Sequence, residues 1–462
     1  MAFGGHIMFI PRSFALGLLR TFLFGFALAA ALSASWMSSS SEAATRLISR
    51  EQARHLGLER AWFSQVRLDR ARNHVERAVL FGDQLTVLTS AGVVHEFDAR
   101  TGQTLWIAPI GNPNYPSLGP DASAEHVALL NGSTLYVLDR TNGRPIIVRR
   151  VGGAPGASPA LAEEHVFVAL LDGRTEGYPL GEQTISPWYF QSYGRAMVPP
   201  LATPRSIVWT TDAGHVYIGN SQELGVRFRV ETGSDIIARP ASRPPYIYVA
   251  TLSGELFAIH ELTGDRPWRY SAGFFVSRAP AAVADRVFIT TDEPALHCVN
   301  ATNGEALWVA ANITQFAAAS RNRVYGVDEL NALVVLDAAS GALLERMPTE
   351  GIEALVNDQT DRLYLMSDDG VVQCLHEIGA KEPLYHHPPE TQQAPADDAV
   401  EPAADATATP PADAEAEPVT PPPAEFDDPF GGLGETAAED EAEEEPADAG
   451  AFGADDEDPF DF

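Results

Sequence analysis

The stretch "TSAGVVHEFDARTGQTLW", residues 89–106, decides the fold of this 462-residue chain. It contains a β-type apolar run, an aspartate, a Thr-Gly turn and a tryptophan. The turn glycine recurs at steps of 37 to 44 residues, at Gly102, Gly143, Gly181, Gly225, Gly264, Gly304, Gly341 and Gly379. A second marker, the tight turn before the apolar strand, recurs at Gly92, Gly132, Gly173, Gly214, Gly254, Pro294, Asn331 and Gly370. Two markers with one period indicate eight copies of a unit of about 40 residues.

Each unit is of the β type. Runs such as "RVFITTD" (286–292) and "RLYLMSDDGVVQCLH" (362–376) are short, rich in β-branched and aromatic residues, and interrupted by turn residues. The long stretches of 3.6-residue period that a helical solenoid needs are missing from the sequence. The pattern therefore predicts an all-β fold, an eight-bladed β-propeller over residues 58–383.

The first and last units must be joined, because an open ring would leave an exposed edge. The segment from Leu58 to Asp69 is strand-like but belongs to no complete unit, so we assign it to the last blade as its outer strand. Upstream, Ser49, Gln52 and Gly57 are spaced like the caps of a short helix, in a lead-in of residues 44–57.

The repeated turn has its own chemistry. The Asp98 carboxylate can accept hydrogen bonds from the following turn, and Gly102 can take the positive φ that other residues resist. Trp106 follows four residues later, and the same spacing recurs elsewhere, so we expect an indole wedged between neighbouring blades with its N–H bonded to a carbonyl. We therefore assign a structural role to Asp98, Gly102, Trp106, Gly264, Trp268, Asn300, Gly304, Trp308, Asp337 and Gly341.

The stretches "FDARTGQTLW" (97–106), "VNATNGEALW" (299–308) and "LDAASGAL" (336–343) resemble the propeller repeat of the pyrroloquinoline-quinone (PQQ) type. That repeat is shared by quinoprotein alcohol dehydrogenases and by outer-membrane assembly factors of the BamB family, and the resemblance covers about residues 58 to 380. Several copies depart from it: His260 and His376 stand where Asp98 does, and the third and fourth units lack the acidic residue. The repeat is specific for a fold and not for a function.

The enzyme alternative is a quinoprotein oxidoreductase or a small-ligand-binding propeller. The resemblance implies that such enzymes carry a vicinal disulfide, a calcium ion and a catalytic aspartate, whereas Cys298 and Cys374 are 76 residues apart and no CxxCH haem motif occurs. Both cysteines hold the same strand position, in blades six and eight, so we expect free, buried thiols. His297 and His376 add too few ligands for zinc. We expect no catalytic residue, no metal and no cofactor.

The N-terminus has the order of a secretory signal. Arg12 and Arg20 precede the apolar run "TFLFGFALAAALSA", and small residues favour cleavage after Ala43, which gives a signal peptide of residues 1–43. The alternative is an uncleaved anchor. Either interpretation predicts an exported protein of the periplasm or cell envelope.

The C-terminal segment, residues 384–462, is strongly acidic. From Pro388 to Phe462 it holds 24 acidic residues, 13 prolines and no lysine or arginine, so we expect it to be disordered. The motif Asp-Pro-Phe occurs at Asp428, Pro429 and Phe430, and again at Asp458, Pro459 and Phe460, two residues before the terminal Phe462. The tail is interpreted either as carrying a linear motif that enters a partner's pocket or as a disordered charged segment that increases solubility.

These observations favour an exported, non-catalytic propeller scaffold. The chain lacks the basic stripe of a nucleic-acid binder, so its expected partners are proteins of the cell envelope. Membrane association is expected only through an uncleaved signal or through partners, and the propeller itself is expected to be monomeric. The resemblance to the assembly factors implies a role in outer-membrane protein assembly.

Overall fold

The computed structural model describes residues 47–181, 184–223 and 225–386. Within these ranges the chain forms eight four-stranded antiparallel sheets, which are the blades of a propeller. The predicted fold class is confirmed. The expected signal peptide, the acidic tail beyond His386 and both Asp-Pro-Phe motifs lie outside the described residues.

Helix α1, Arg50–His55, precedes the ring. Ser49 Oγ accepts the N–H of Gln52 at 3.1 Å, and Gln52 Oε1 accepts the N–H of Ser49 at 2.9 Å, which completes a capping box. Gly57, with φ of 70°, then turns the chain into strand β1, Leu58–Gln65. The short capped helix expected from the sequence is therefore present.

The first four blades follow in chain order, and each begins with its innermost strand. Blade 1 contains β2 (Val75–Phe81), β3 (Gln84–Thr89), β4 (Val93–Asp98) and β5 (Thr104–Pro109). Blade 2 contains β6 (Ser117–Ala122), β7 (His126–Asn131), β8 (Thr134–Asp139) and β9 (Pro145–Arg150). Blade 3 contains β10 (Ala160–Leu161), β11 (His165–Ala169), β12 (Arg174–Pro179) and β13 (Trp188–Gln191). Blade 4 contains β14 (Leu201–Ala202), β15 (Ser206–Thr210), β16 (His215–Asn220) and β17 (Gly225–Glu231).

The other four blades complete the circle. Blade 5 contains β18 (Ala241–Arg243), β19 (Tyr246–Ala250), β20 (Glu255–His260) and β21 (Trp268–Ser271). Blade 6 contains β22 (Ala281–Val283), β23 (Arg286–Thr291), β24 (Ala295–Asn300) and β25 (Ala306–Ala311). Blade 7 contains β26 (Ile313–Ala319), β27 (Arg323–Asp328), β28 (Ala332–Asp337) and β29 (Leu343–Pro348). Blade 8 contains β30 (Ile352–Ala354), β31 (Leu363–Ser367) and β32 (Val371–Glu377), and β1 is its outer strand.

Strand β1 closes the ring as the sequence predicts. It pairs antiparallel with β32, with Leu58 opposite Glu377 and Phe63 opposite Gln373. The last blade therefore combines the first and last strands of the described chain, and the ring has no open junction between its ends.

The aligned glycine of the Thr-Gly turn lacks the expected positive φ in two blades. Six of these eight glycines have a positive φ, but Gly181 and Gly225 do not, and Gly225 instead begins β17. The connection from the third to the fourth strand runs from Pro179 to Trp188 in blade 3 and from Asn220 to Gly225 in blade 4. In blade 4 the aligned glycine therefore belongs to strand β17 and not to the turn.

The hydrophobic core lies between neighbouring blades. The cluster joining blades 6 and 7, for example, packs Phe288, Cys298 and Trp308 against Phe316 and Val324. Cys298 on β24 and Cys374 on β32 are both buried and free, as expected. Each faces an aromatic residue of its second strand, Phe288 and Tyr364 respectively, which confirms that they hold equivalent positions.

Candidate partner-docking face

The repeated aspartate organises the turn between the third and fourth strands. Asp98 Oδ1 accepts the backbone N–H of Arg100 at 3.0 Å, and that of Thr101 at 2.7 Å. Asp337 does the same in blade 7, where its Oδ1 accepts the N–H of Ser340 at 2.8 Å. These hydrogen bonds all come from backbone amides of the turn, so the two carboxylates stabilise the turn.

Three of the departures from the aspartate keep the same function; one is Asn220 of blade 4, whose Oδ1 accepts the N–H of Gln222 at 2.9 Å. In blade 6, Asn300 Oδ1 accepts the N–H of Thr302 at 2.8 Å. In blade 5, Nδ1 of His260 accepts the N–H of Thr263 at 3.2 Å, which requires that ring nitrogen to be unprotonated. In these blades an uncharged acceptor replaces the carboxylate, whereas in blade 8 Nδ1 of His376 lies 2.8 Å from the carbonyl oxygen of Glu377.

Each repeated tryptophan reaches the next blade. Trp106 Nε1 donates to the carbonyl of Arg140 at 2.7 Å, and Trp308 Nε1 donates to that of Ala338 at 3.0 Å. Trp268 Nε1 donates in the same way to Ala301 at 3.2 Å. In every case the acceptor follows the turn-organising residue of the neighbouring blade, so the indole joins consecutive sheets.

The turn glycines lie directly under these indoles. A Cβ added to Gly143 would lie 2.4 Å from Trp106 Cε3, and one added to Gly304 would lie 2.5 Å from Trp268 Cε3. Gly341 has the same relation to Trp308, at 2.5 Å. Glycine is needed here both for its positive φ and for the space that the ring of the preceding blade occupies.

Sequence reasoning missed a fourth indole of this kind, Trp62 on β1. Its Nε1 donates to the carbonyl of Ala99 at 2.9 Å, and a Cβ on Gly102 would lie 2.4 Å from its Cε3. Trp62 faces Cys374 as Trp308 faces Cys298, so it holds the tryptophan position of blade 8. Ring closure moves this residue to the start of the chain, which hid it from a search at a fixed period.

The junction of blades 7 and 8 is built differently. Glu345 on β29 stands at the tryptophan position, opposite Val335. The core at this junction instead includes Ala53 and Leu56 from α1 and its C-cap, packed with residues of both blades. The lead-in helix therefore contributes to an interblade core that lacks an indole.

The ring presents two faces to partners. We call one of them the loop face; it is formed by the interblade connections and by the turn between the second and third strands of each blade. The turn face carries the remaining turns, including those organised by the repeated aspartates. Propellers commonly bind partners through such surfaces around the axis.

Exposed apolar side chains concentrate on the loop face of blades 3 to 6. Three consecutive interblade connections, residues 192–200, 232–240 and 272–280, each carry at least one of them. Tyr193 is 70% exposed and Phe275 is 62% exposed, which is unusual for large apolar side chains. We call this set the apolar arc: Leu171, Tyr193, Met197, Ile237, Phe274 and Phe275.

The connections that carry the arc are held in place from below. Each buries at least two apolar side chains, among them Ala196, Ile236 and Val276 at the same position of the three connections. The carbonyls of Arg195, Asp235 and Phe275 each accept a backbone N–H from a turn of the following blade, donated by Asp212, Leu252 and Asp292, at 2.8 to 2.9 Å. The apolar arc is thus presented on an ordered frame, which lowers the entropy that a partner must offset.

Sequence and fold comparisons agree on one relationship. The family model described as outer membrane protein assembly factor BamB matches residues 90–246 and 238–317. A curated outer membrane protein assembly factor BamB from Burkholderia pseudomallei (strain K96243) is 26% identical over 271 residues. The crystal structure of BamB from Moraxella catarrhalis aligns with a TM-score of 0.56 and 19% identity, over 69% of this chain and 97% of that one. The chain is a PQQ-like repeat β-propeller that resembles BamB.

The coverage and sequence identity of these matches limit what can be inferred from them. The alignment to the Burkholderia BamB spans 58% of this chain and 64% of that protein. The computationally designed Ika8 protein has a TM-score of 0.54 at 16% identity, over 66% of this chain and 96% of its own. Structural likeness at such identities shows the fold alone. The range matched by the BamB family model, residues 90–317, nevertheless contains every residue of the apolar arc.

Charged side chains from distant parts of the BamB-like ring meet on its axis. Arg239, in the connection between blades 4 and 5, places Nη2 3.7 Å from Asp121 Oδ1 of blade 2. Asp121 Oδ2 also accepts the N–H of Leu161 at 2.8 Å. Burial raises the pKa of Asp121, and the charge of Arg239 is the largest opposing influence. The axis is bridged at this level by an ion pair.

Buried titratable groups elsewhere serve the core. Burial raises the pKa of both Cys298 and Cys374 to about 12, so both thiols are neutral at physiological pH. Burial lowers the pKa of His95, stacked on Phe97 within the BamB-like ring, to about 4. His297 Nδ1 lies 2.8 Å from the Tyr270 hydroxyl. These groups are arranged for packing and not around a common reacting atom.

The described residues show neither a group of metal ligands nor a membrane-spanning helix. Among residues 47–181, 184–223 and 225–386, no three His, Cys, Asp or Glu side chains are grouped as metal ligands. In that part of the chain, no helix is long and apolar enough to cross a bilayer.

Proposed function

We propose that the chain is an exported, non-catalytic scaffold that binds protein partners of the cell envelope and takes part in outer-membrane protein assembly. The observation that carries the proposal is the apolar arc on the loop face. Large exposed apolar side chains on neighbouring, well-ordered connections are typical of protein-binding surfaces, where aromatic anchors dominate the binding energy. The family described as outer membrane protein assembly factor BamB supplies the process.

The repeat residues support a scaffold rather than an enzyme. The acceptors Asp98, Asn300 and Asp337 bond to turns, and Trp106, Trp268 and Trp308 bond to neighbouring blades. We assign all ten repeat residues of the sequence pattern to this structural role. A bound quinone absorbance in the purified full chain would contradict the non-catalytic assignment.

The site test uses two matched double variants in the full chain. Phe274→Ser with Phe275→Ser removes the two adjacent aromatic residues of the apolar arc. Leu343→Ser with Leu344→Ser is the control, because these adjacent leucines of β29 are similarly exposed but lie on an outer strand. Each variant also carries a photocrosslinking amino acid at Tyr193, and crosslinked proteins from the source cell's envelope are identified by mass spectrometry.

The expected crosslink is to a component of the barrel-assembly machinery. Its yield should fall at least about tenfold in the phenylalanine variant, since truncating a buried aromatic anchor costs roughly 2 kcal/mol or more. The leucine control should keep the yield of the unaltered chain. Equal yields in the two variants would remove the apolar arc from the proposal, and a crosslink restricted to proteins outside the envelope would refute the function.

A further inference from the structure

Two arginine side chains reach the channel along the axis from different parts of the ring. Arg77 of β2 projects into it and donates from Nη1 to Ser158 Oγ at 3.1 Å. Arg239 enters from the opposite side of the ring and pairs with Asp121. Among the described residues Arg77 forms no ion pair, so only Arg239 has a carboxylate in direct contact.

Nearby carboxylates act on Arg77 without forming an ion pair with it. The acid nearest in sequence, Glu76, lies beside His74, with Oε2 3.3 Å from Nε2. The pKa of Arg77 is lowered, first by burial and then by the positive charge of Arg239, with weaker opposing contributions from Glu76 and Asp121. The two arginines thus repel each other across the axis. Such a pair is stabilised by a counterion placed between them.

Hydrogen-bond donors also exceed acceptors at this point. Arg239 Nε is buried and has no acceptor among the described residues. Ser158, which is 5% exposed, uses its oxygen as an acceptor from Arg77, and its hydroxyl donates no hydrogen bond within the described part of the chain. Buried donors without partners are rare in folded proteins, so these two groups can each take an acceptor from a ligand.

We propose that the central channel binds a small oxyanion, a carboxylate or a phosphate, between Arg77, Arg239 and Ser158. The planar guanidinium forks suit two-oxygen ligands, and the serine hydroxyl supplies a further donor. Asp121 orients Arg239 and forms no ion pair with Arg77. The channel walls crowd Arg77, which lowers its pKa, but its side chain and that of Arg239, which is 34% exposed, still contact solvent, so a small anion can reach both. Low-dielectric channel walls concentrate the local positive field, although the chain as a whole is acidic.

The test is titration calorimetry of the full chain with two probes, inorganic phosphate and glutarate. Saturable binding of at least one probe at one site per chain is expected, and the probe that binds identifies the oxyanion class. Arg77→Gln and Arg239→Gln should each weaken binding about tenfold, because each removes a charge-assisted hydrogen bond. Arg278→Gln is the matched control: it lies in the next interblade connection and is exposed, with no ion pair in the described structure. It should leave the affinity unchanged.

Hydrogen exchange provides a readout that needs no variant. Saturating probe should slow amide exchange in the segment 76–81, where the Arg77 backbone lies, and should leave β29 on the outer rim unchanged. Absence of saturable binding by both probes would overturn the proposal. Binding that is weakened equally by Arg278→Gln, or that leaves the exchange of residues 76–81 unchanged, would place the anion elsewhere and would also overturn it. The partner crosslinking described above does not depend on this result.

Discussion

Replacing Gly102 with alanine tests the contact that locks the ring closed. The added Cβ would lie 2.4 Å from Cε3 of Trp62, and the residue has φ of 72°. The left-handed backbone costs an L-residue about 1–2 kcal/mol. Forcing an extra carbon against a packed ring typically adds about 1–3 kcal/mol. We therefore expect Gly102→Ala to lower the free energy of unfolding by about 2–5 kcal/mol.

A control variant and a double-mutant cycle separate the backbone contribution from the steric contribution. Gly82 also has a positive φ, 58°, but a Cβ there meets nothing within 4 Å, so Gly82→Ala should cost only the backbone contribution of about 1–2 kcal/mol. In a Trp62→Ala background the steric contribution should vanish, which gives a coupling of about 1–3 kcal/mol between the two sites. Urea unfolding of the full chain, followed by tryptophan fluorescence, measures all five proteins. Equal losses for Gly102→Ala and Gly82→Ala, or zero coupling, would refute the contact.

Two further predictions concern buried titratable groups. Cys298 and Cys374 should react with thiol reagents only after unfolding, and the number of reactive thiols should be the same with and without reductant. Because burial raises their folded pKa to about 12, they stabilise the native state below pH 9, and this stability should be lost as the pH rises from about 9 towards 12. Two thiols that appear only after reduction would contradict this. The folded pKa of His95 is about 4, against 6.5 for a free histidine, so its contribution to stability is present above pH 6.5 and is lost as the pH falls. This group should lower the free energy of unfolding by about 2 kcal/mol between pH 7 and pH 5. The variant His95→Phe should lose that part of the shift in the urea midpoint. An unchanged pH dependence in the variant would contradict the burial argument.

The periodic features of the fold were predictable because they recur. Turn glycines such as Gly92 and Gly214 mark a position that has a positive φ in seven of the eight blades, Pro294 of blade 6 being the exception. The assignment of Leu58–Asp69 to the last blade followed from the need to remove an open edge, and the strand within it, Leu58–Gln65, pairs with β32. Equivalent positions of Cys298 and Cys374 followed from the same register.

Features that depend on the closure of the circle were not predictable in this way. Trp62 belongs to blade 8 in space but to the start of the chain in sequence, so a fixed period could not identify it. In blades 3 and 4, Gly181 and Gly225 lack the positive φ of the aligned glycines in the other blades, and Gly225 begins β17. The apolar arc and the channel arginines carry no periodic signal, because their meaning depends on which side chains the ring brings together and leaves uncovered.

The closed ring is tested most directly by hydrogen exchange of the full chain at the level of single peptides. If β1 is the outer strand of blade 8, the amides of Leu58–Gln65 that pair with β32 should be protected to a degree similar to the outer strands of other blades, such as β25. Exchange of Leu58–Gln65 as fast as that of the exposed connection at residues 69–73, with β32 then losing protection along the same edge, would contradict a propeller closed by its first strand.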